Sequence, residues 1–412
     1  MKFIDMTLSR KLHKVLKELE YNQATPIQEQ AIPLILANHD VMGRAKTGTG
    51  KTAAFALPIL NKLIEKDVNI EFVSALVLAP TRELVQQIYS SFVTYGKHTE
   101  LKVAAAFGGV SINPQIKAIK QGVDILIATP GRLLDLLSND YLNLENLTIL
   151  TLDEADRMID LGFKAELDEI FKYLPVKRQT LLFSATFDDA IYKFCDSLLN
   201  DAKIITVDEK NETAANVEQI VYTVDSDRKR ELLSYLIGSK NWQQVLIFTR
   251  TKVMADALAK EMCKDGIKTQ SLHGDKSQGS RDKALLDFKT GKVRALVATD
   301  VAARGIDIID LGYVVNYELP YVAEDYVHRI GRTGRAGNNG LAISLLSPDE
   351  EWLLKAIEKV IDTRLLQQWL PGYEPDLTKA VKPNKSGNKR KARKNALLNS
   401  KDGRTTSNRR RR

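Results

Sequence analysis

Along most of the chain, short unbroken apolar runs alternate with longer stretches whose apolar residues recur every three or four positions. Ala75–Ala79, Ile125–Thr129, Leu147–Leu152 and Thr180–Phe183 are runs of the first kind. Runs this short and this apolar predict strands buried on both faces. Between them, Lys51 to Lys66 sets Phe55, Ile59, Leu60 and Leu63 along one face of a predicted helix, and Arg82 to Gly96 predicts another. The pattern lapses over Asp208 to Asn216, which is polar and has no apolar period. It restarts with Gln219–Val224, Val245–Thr249, Ala295–Thr299, Tyr313–Tyr317 and Leu341–Leu346, and a last helix is predicted from Asp349 to about Arg364. Strands alternating with helices predict an α/β fold with parallel sheets, in two tandem domains. The boundaries expected are 1–208, a linker at 209–216, and 217–372. No sequence period shows whether the halves share a topology.

Composition changes the picture at the C-terminal end. The 412 residues carry a formal net charge of +8, but Lys379 to Arg412 holds 14 Lys and Arg against one acid, Asp402. That tail is +13 and the remainder is −5. Beyond Pro371-Gly372 large apolar residues nearly vanish, so residues 373–412 cannot offset chain entropy by burial and are predicted to be disordered when free. A basic arm of this kind predicts binding to nucleic acid. The cysteines, Cys195 and Cys263, are too far apart to form a metal-ligand pair and read as inert thiols in a reducing compartment. No apolar run approaches the roughly 20 residues that span a bilayer. Met1-Lys2-Phe3-Ile4-Asp5 lacks the apolar core of a secretion signal. A cytoplasmic protein is expected.

The candidate chemistry begins at Ala45-Lys46-Thr47-Gly48-Thr49-Gly50-Lys51-Thr52, between the apolar pair Val41-Met42 and a predicted helix. Gly48 and Gly50 allow backbone N–H groups to turn inward around phosphate oxygens, and the helix N-terminus favours an anion. Lys51 supplies a point charge to β/γ-phosphates, and the Thr52 hydroxyl suits Mg²⁺. Ala45 stands where the general pattern has glycine. Downstream, the apolar run ending at Leu152 is followed by Asp153-Glu154-Ala155-Asp156. At the C-terminal end of a parallel strand, Asp153 is placed to hold Mg²⁺ through water and Glu154 to deprotonate an attacking water. Three acids in four residues would, alone, fit a solvated loop equally well. Paired with the phosphate loop they point to nucleotide hydrolysis.

With these motifs in order from Phe3 to about Arg364, the chain resembles the DEAD-box ATP-dependent RNA helicases. Within them it looks most like the bacterial RhlE-type proteins, through Lys229–Leu233, Asn241–Thr251 and Pro371–Pro375. The resemblance implies two RecA-like domains and an RNA-stimulated ATPase with ATP and Mg²⁺ as cofactors. Tyr21 to Gln28 looks like the family's adenine motif, with Gln28 on the purine edge and Tyr21 stacked on its face. Phe3 sits where the family has an upstream aromatic. Glu20 and Ala24 depart from the usual Gly and Pro. By residue type alone, Tyr21 and Phe3 would more often be packing residues.

The resemblance further implies RNA-backbone contacts from Arg82 in Pro80–Leu84, from Gly108 and Gly109, and from Thr129, Gly131 and Arg132. Without it, Thr129–Arg132 would read as a simple turn. Ser184-Ala185-Thr186, with Asp156 and His328, is implied to couple ATP state to RNA separation, although a lone Ser-x-Thr is commonly a helix cap. In the second domain, Arg332 and Arg335 are implied to act as arginine fingers on the γ-phosphate. Gly305 and Asp307 are implied to touch nucleotide, and Gln278, Arg281, Thr299 and Arg304 to touch RNA. Domain closure on ATP and RNA together would bend one strand and open a short duplex locally. A non-unwinding, ATP-locked RNA clamp and a DNA helicase remain alternatives at this point. Ribosome assembly or RNA turnover, with ribosomal precursors or RNA-decay proteins as partners, is the setting a RhlE-like chain implies.

Overall fold

The computed structural model describes residues 1–45, 48–65, 72–186, 191–192, 194, 198–207, 217–303, 311–334, 340–376 and 378. Two compact units result, each built on a seven-stranded sheet. The expected linker at 209–216 and the basic tail from Lys379 onward lie outside the described residues.

The first sheet comprises β1 (Val41–Arg44), β2 (Ala75–Leu78), β3 (Val103–Ala106), β4 (Ile125–Ala128), β5 (Ile149–Asp153), β6 (Gln179–Ser184) and β7 (Lys203–Thr206). Its order is β3-β4-β2-β5-β6-β1-β7, and the pairings described are parallel, as in Val41↔Leu181 and Leu76↔Leu150. The runs Ala-Leu-Val-Leu and Ile-Leu-Ile-Ala have every residue buried because the sheet is covered on both sides. Successive residues point to opposite faces. Ala75, Val77, Ile125 and Ile127 join one core with Ile32, Phe55 and Phe92, while Leu76, Leu78, Leu126 and Ala128 join a second with Leu133, Leu136 and Met158. Each fully buried Leu or Ile contributes about 1.5–3 kcal/mol.

Helices α1 (Arg10–Glu18), α2 (Pro26–Leu36), α3 (Lys51–Glu65), α4 (Arg82–Tyr95), α5 (Asn113–Lys120), α6 (Pro130–Ser138), α7 (Ala155–Asp160) and α8 (Lys164–Ile170) belong to this unit. The entries of α1 and α4 are capped by Ser9 and Thr81, whose hydroxyls accept from Leu12 N and Leu84 N. The four residues expected on one face of α3, Phe55, Ile59, Leu60 and Leu63, join one core, and burial continues almost all round the helix, with 11 of its 15 residues buried, Lys51 and Asn61 among them. A helix enclosed on all sides has no polar face to mark the boundary of a stripe.

The second sheet comprises β8 (Val217–Thr223), β9 (Val245–Thr249), β10 (Thr269–Leu272), β11 (Ala295–Thr299), β12 (Tyr313–Asn316), β13 (Gly340–Leu346) and β14 (Gln367–Gln368), in the order β10-β11-β9-β12-β13-β8-β14. Counted from the first strand of each sheet, both orders read 3-4-2-5-6-1-7. The two halves therefore share a topology that no sequence repeat revealed. Val245, Ile247, Val297 and Val315 pack on one face, and Val221, Tyr326, Leu346 and Leu353 on the other. The last predicted helix is shorter than expected, Glu351–Ile361, and stops at Asp362 in the left-handed region at φ 50°.

Candidate functional site

Parallel sheets gather their functional loops at the C-terminal ends of the strands. In the first unit the strand order sorts those loops into two halves. Over the adjacent strands β5, β6 and β1 lie Asp153–Asp156, Ser184–Thr186, and Ala45 with Gly48–Gly50. Over β2, β4 and β3 lie Arg82, Thr129–Arg132 and Gly108–Gly109.

The loop after β1 is held to β6 by Ala45 N, which donates to Ser184 O at 3.1 Å. Gly48 and Gly50 have φ of 88° and 90°, which β-carbon-bearing residues rarely adopt. Lys51 is the first residue of α3, is buried, and its Nζ donates to Ala45 O at 2.7 Å. The ammonium thus crosses the mouth of its own loop. Thr52 follows on the same helical turn and Thr49 is half-buried. Thr47 lies outside the described residues.

Gln28 occupies α2 and is 4% exposed. Its Oε1 accepts from Thr25 N at 2.9 Å and its Nε2 donates to Gly50 O at 3.0 Å. A Cβ at Gly50 would fall 2.3 Å from that same Nε2. The amide therefore caps α2 and pins the phosphate loop, with one N–H and one lone pair of capacity beyond these bonds. Tyr21 is 41% exposed and stacks on Phe3 at 6.1 Å between ring centroids. Phe3 itself is core.

Asp153, the last residue of β5, is 2% exposed. Burial pushes its carboxyl up to about 7, against the pull of the Lys51 charge. Glu154 caps α7 in the left-handed region, φ 52° and ψ 53°, and its N–H donates to Asp153 Oδ1 at 3.0 Å. Asp156 turns the other way. Its Oδ2 accepts from Ala185 N at 3.2 Å and from Thr186 N and Oγ1, both at 3.0 Å. Asp156 N donates to Ser184 Oγ at 3.4 Å, and Ser184 Oγ donates to Thr186 O at 2.8 Å. Asp156, in the first turn of α7 just after β5, is thereby locked to the end of β6.

In the other half, Gly109 has φ 77°, a conformation that β-carbon-bearing residues rarely adopt, and the Arg82 guanidinium packs where a Cβ would stand. Burial lowers the Arg82 pKa from its ordinary value. Arg132, at 9% exposure, donates from NH1 to Gln115 Oε1 and from NH2 to Val110 O, each at 3.0 Å. Thr129 precedes α6 as its N-cap and Gly131 is in its first turn.

Thr299 ends β11 of the second sheet, while Gln278 and Arg281 lie one turn apart on the helix Gln278–Lys289 that follows β10. His328 is in the last turn of the helix Ala323–Ile330 and Arg332 follows it, 5% exposed. Arg304, Gly305, Asp307 and Arg335 lie outside the described residues. Sequence reasoning missed the first arginine of this motif. Arg329 is 1% exposed, donates to Asn316 Oδ1 at 3.0 Å and Glu318 O at 2.7 Å, and stacks over Phe248. Its place in a helix ending in Gly331 hinted at function, but nothing in the sequence separated a buried arginine from an exposed one. Gln115 was missed for want of any motif around it.

Residues 25–194 match the DEAD/DEAH box helicase family, and residues 228–337 match the helicase conserved C-terminal domain. The fold and these matches define a helicase made of two α/β units. The DEAD-box ATP-dependent RNA helicase RhpA of Helicobacter pylori is 41% identical over 363 residues, covering 88% of this chain and 73% of RhpA. CshA of Bacillus subtilis, also a DEAD-box ATP-dependent RNA helicase, is 39% identical over 379 residues, 92% of this chain and 75% of CshA. Among solved structures, S. cerevisiae Dbp5 bound to RNA and ADP BeF3 superposes with a TM-score of 0.78 at 32% identity, covering 89% of this chain and 95% of that one. The chain belongs to the DEAD-box ATP-dependent RNA helicases, an ATP-hydrolysing family. Among the described residues no helix is long and apolar enough to cross a membrane.

Proposed function

We propose that the protein is an RNA-stimulated ATPase that pries apart short RNA duplexes locally and remodels RNA or ribonucleoprotein. The observation that carries this reading is the division of one sheet edge between a phosphate loop beside the buried Asp153 and a row of glycines and arginines at the starts of loops and helices. Gly108 and Gly131 add to it, since a Cβ at either would meet nothing within 4 Å. Packing gives no reason for glycine there, whereas a sugar–phosphate backbone lying on the loop does.

In this reading Thr47, Gly48, Thr49 and Gly50 cradle the phosphates, and Lys51 exchanges the Ala45 carbonyl for phosphate oxygen. A deeply buried carboxylate such as Asp153 is best served by a divalent cation, so Asp153 and Thr52 fit Mg²⁺. When bound, that ion neutralises phosphate charge. Glu154 orients and deprotonates the attacking water. Arg332 and Arg335 stabilise charge on the transferring phosphoryl group. Tyr21 and Gln28 select adenine, with Gln28 doing so while also holding the loop. Gly305 and Asp307 touch nucleotide. Arg82, Gly108, Gly109, Thr129, Gly131, Arg132, Gln278, Arg281, Thr299 and Arg304 form the RNA track. Asp156, Ser184, Thr186 and His328 carry the coupling. Residues 209–216 connect domains 1–208 and 217–372, and the basic tail at 373–412 raises local RNA concentration. The protein acts in the cytoplasm, in a RhlE-like role in ribosome assembly or RNA turnover.

Strand displacement on a short RNA duplex tests this, with Glu154→Gln beside the parent chain. The parent chain should release the strand with ATP. The variant should bind ATP and RNA while turnover falls by about 10²–10⁴-fold. ATP-dependent retention of RNA without strand release would indicate a clamp. Equal competition by a deoxy-substituted strand would indicate DNA.

A further inference from the structure

We infer that Gln115, which belongs to none of the motifs above, is the positioning residue that sets the RNA-facing loop Phe107–Ser111. This rests on the reading of that loop and its neighbours as an RNA track. Among the described residues, the backbone hydrogen bonds around the loop end at Ala106 and resume at Ile112. Side chains hold what lies between. Gln115 Nε2 donates to Phe107 O at 3.1 Å and lies 3.5 Å from Ser111 O. Gln115 Oε1 accepts from Arg132 NH1 at 3.0 Å, and the same guanidinium donates through NH2 to Val110 O at 3.0 Å. One amide therefore joins the loop after β3 to the arginine in the first turn of α6, and that arginine grips the loop a second time.

The chemistry explains why an amide is needed. The Phe107 carbonyl requires a donor and the guanidinium requires an acceptor, and among uncharged side chains an amide supplies both from one rigid plane. A carboxylate would keep Arg132 but set one acceptor oxygen against the Phe107 carbonyl oxygen. A thioether of similar length would keep neither bond. Loss of the Gln115 brace thus releases the loop at the point where Gly108 opens toward RNA. Two hydrogen bonds, one of them to a charged group, set the scale of the effect.

The test uses the full chain and RNA-stimulated ATPase with a single-stranded RNA oligonucleotide. Gln115→Met should raise the RNA concentration for half-activation by about tenfold, and Gln115→Glu by about threefold. The KM for ATP, the RNA-free rate and the rate at saturating RNA should each stay within about twofold, while the melting temperature falls by no more than about 5 °C. An unchanged RNA requirement in Gln115→Met overturns the assignment. So does a rise matched by equal losses in ATP affinity and melting temperature, which a merely structural residue would produce. Arg82→Ala separates the two levels. If it weakens RNA activation and Gln115→Met does not, only the positioning role fails. If Arg82→Ala and Arg132→Ala also leave RNA activation intact, the RNA track fails and this inference with it.

Discussion

The two sheets have the same strand order and put different chemistry at matching points. In each, a lysine opens the helix that follows the first strand. Lys51 Nζ is held by a single loop carbonyl, which a phosphate oxygen can replace. Lys229 Nζ is held by Glu350 Oε2 at 2.5 Å and Tyr317 O at 3.2 Å, and Glu350 is also paired with Arg250. In each sheet a polar residue ends the fifth strand. In the first it is Asp153, an acid pushed up by burial. In the second it is Asn316, which accepts from Arg329 and donates to Ser344 Oγ. One fold thus carries a ligand site in one copy and a fastener in the other. Topology supplies the position, and the side-chain partners decide what it does.

The largest effects should come from exchanging these roles. Lys51→Met is expected to lower ATP turnover by roughly 10²–10³-fold with an unchanged urea midpoint. Lys229→Met removes one of the two cations on the buried Glu350 and leaves Arg250 in place, and is expected to cost the second unit about 2–3 kcal/mol in urea unfolding, with KM for ATP unchanged. If the two variants gave the same phenotype, the contrast between the units would be lost. Next in size is an alkaline effect. Tyr326 donates to Gln219 Oε1 at 2.9 Å and is pushed up to about 12 by burial. Its folded form keeps the phenolic proton longer than the unfolded chain, so the associated stability is full below pH 10. It is lost as pH rises toward 12, by about 2–3 kcal/mol. Tyr95 in the first unit is shifted the same way for the same reason. Tyr317 is likewise pushed up to about 12 by burial, so Tyr326→Phe should remove about half of the second unit's alkaline loss and leave the first unit's profile unchanged, as followed by urea unfolding. The smallest expected effect is that of removing Lys379 to Arg412. RNA affinity should fall about tenfold at low salt and lose part of its salt slope, while ATPase at saturating RNA stays the same. A salt slope equal to the parent's would show that the tail adds nothing to either unit.

Legibility followed burial. Ala75–Leu78, Val245–Thr249 and Ala295–Thr299 were plain in the sequence because central parallel strands are apolar throughout. Val103–Ala106, Lys203–Thr206, Thr269–Leu272 and Gln367–Gln368 went unread. They lie at or beside the sheet margins, where Ala-rich or polar residues suffice. Motifs that wrap a ligand were legible because their glycines, acids and lysine sit a few residues apart. Gln115, Arg329 and Lys229 were not, because each acts through a partner far along the chain or through a burial that no local pattern encodes.

Glu154 holds a backbone conformation at φ 52° that a residue with a β-carbon adopts at a cost of about 1 kcal/mol, and asparagine tolerates it better. The chain keeps this discomfort at the residue proposed to activate water. A screen that ranked variants of this protein by heat resistance alone would drift toward Asn or Gly at that position. It would reward folding and discard the enzyme.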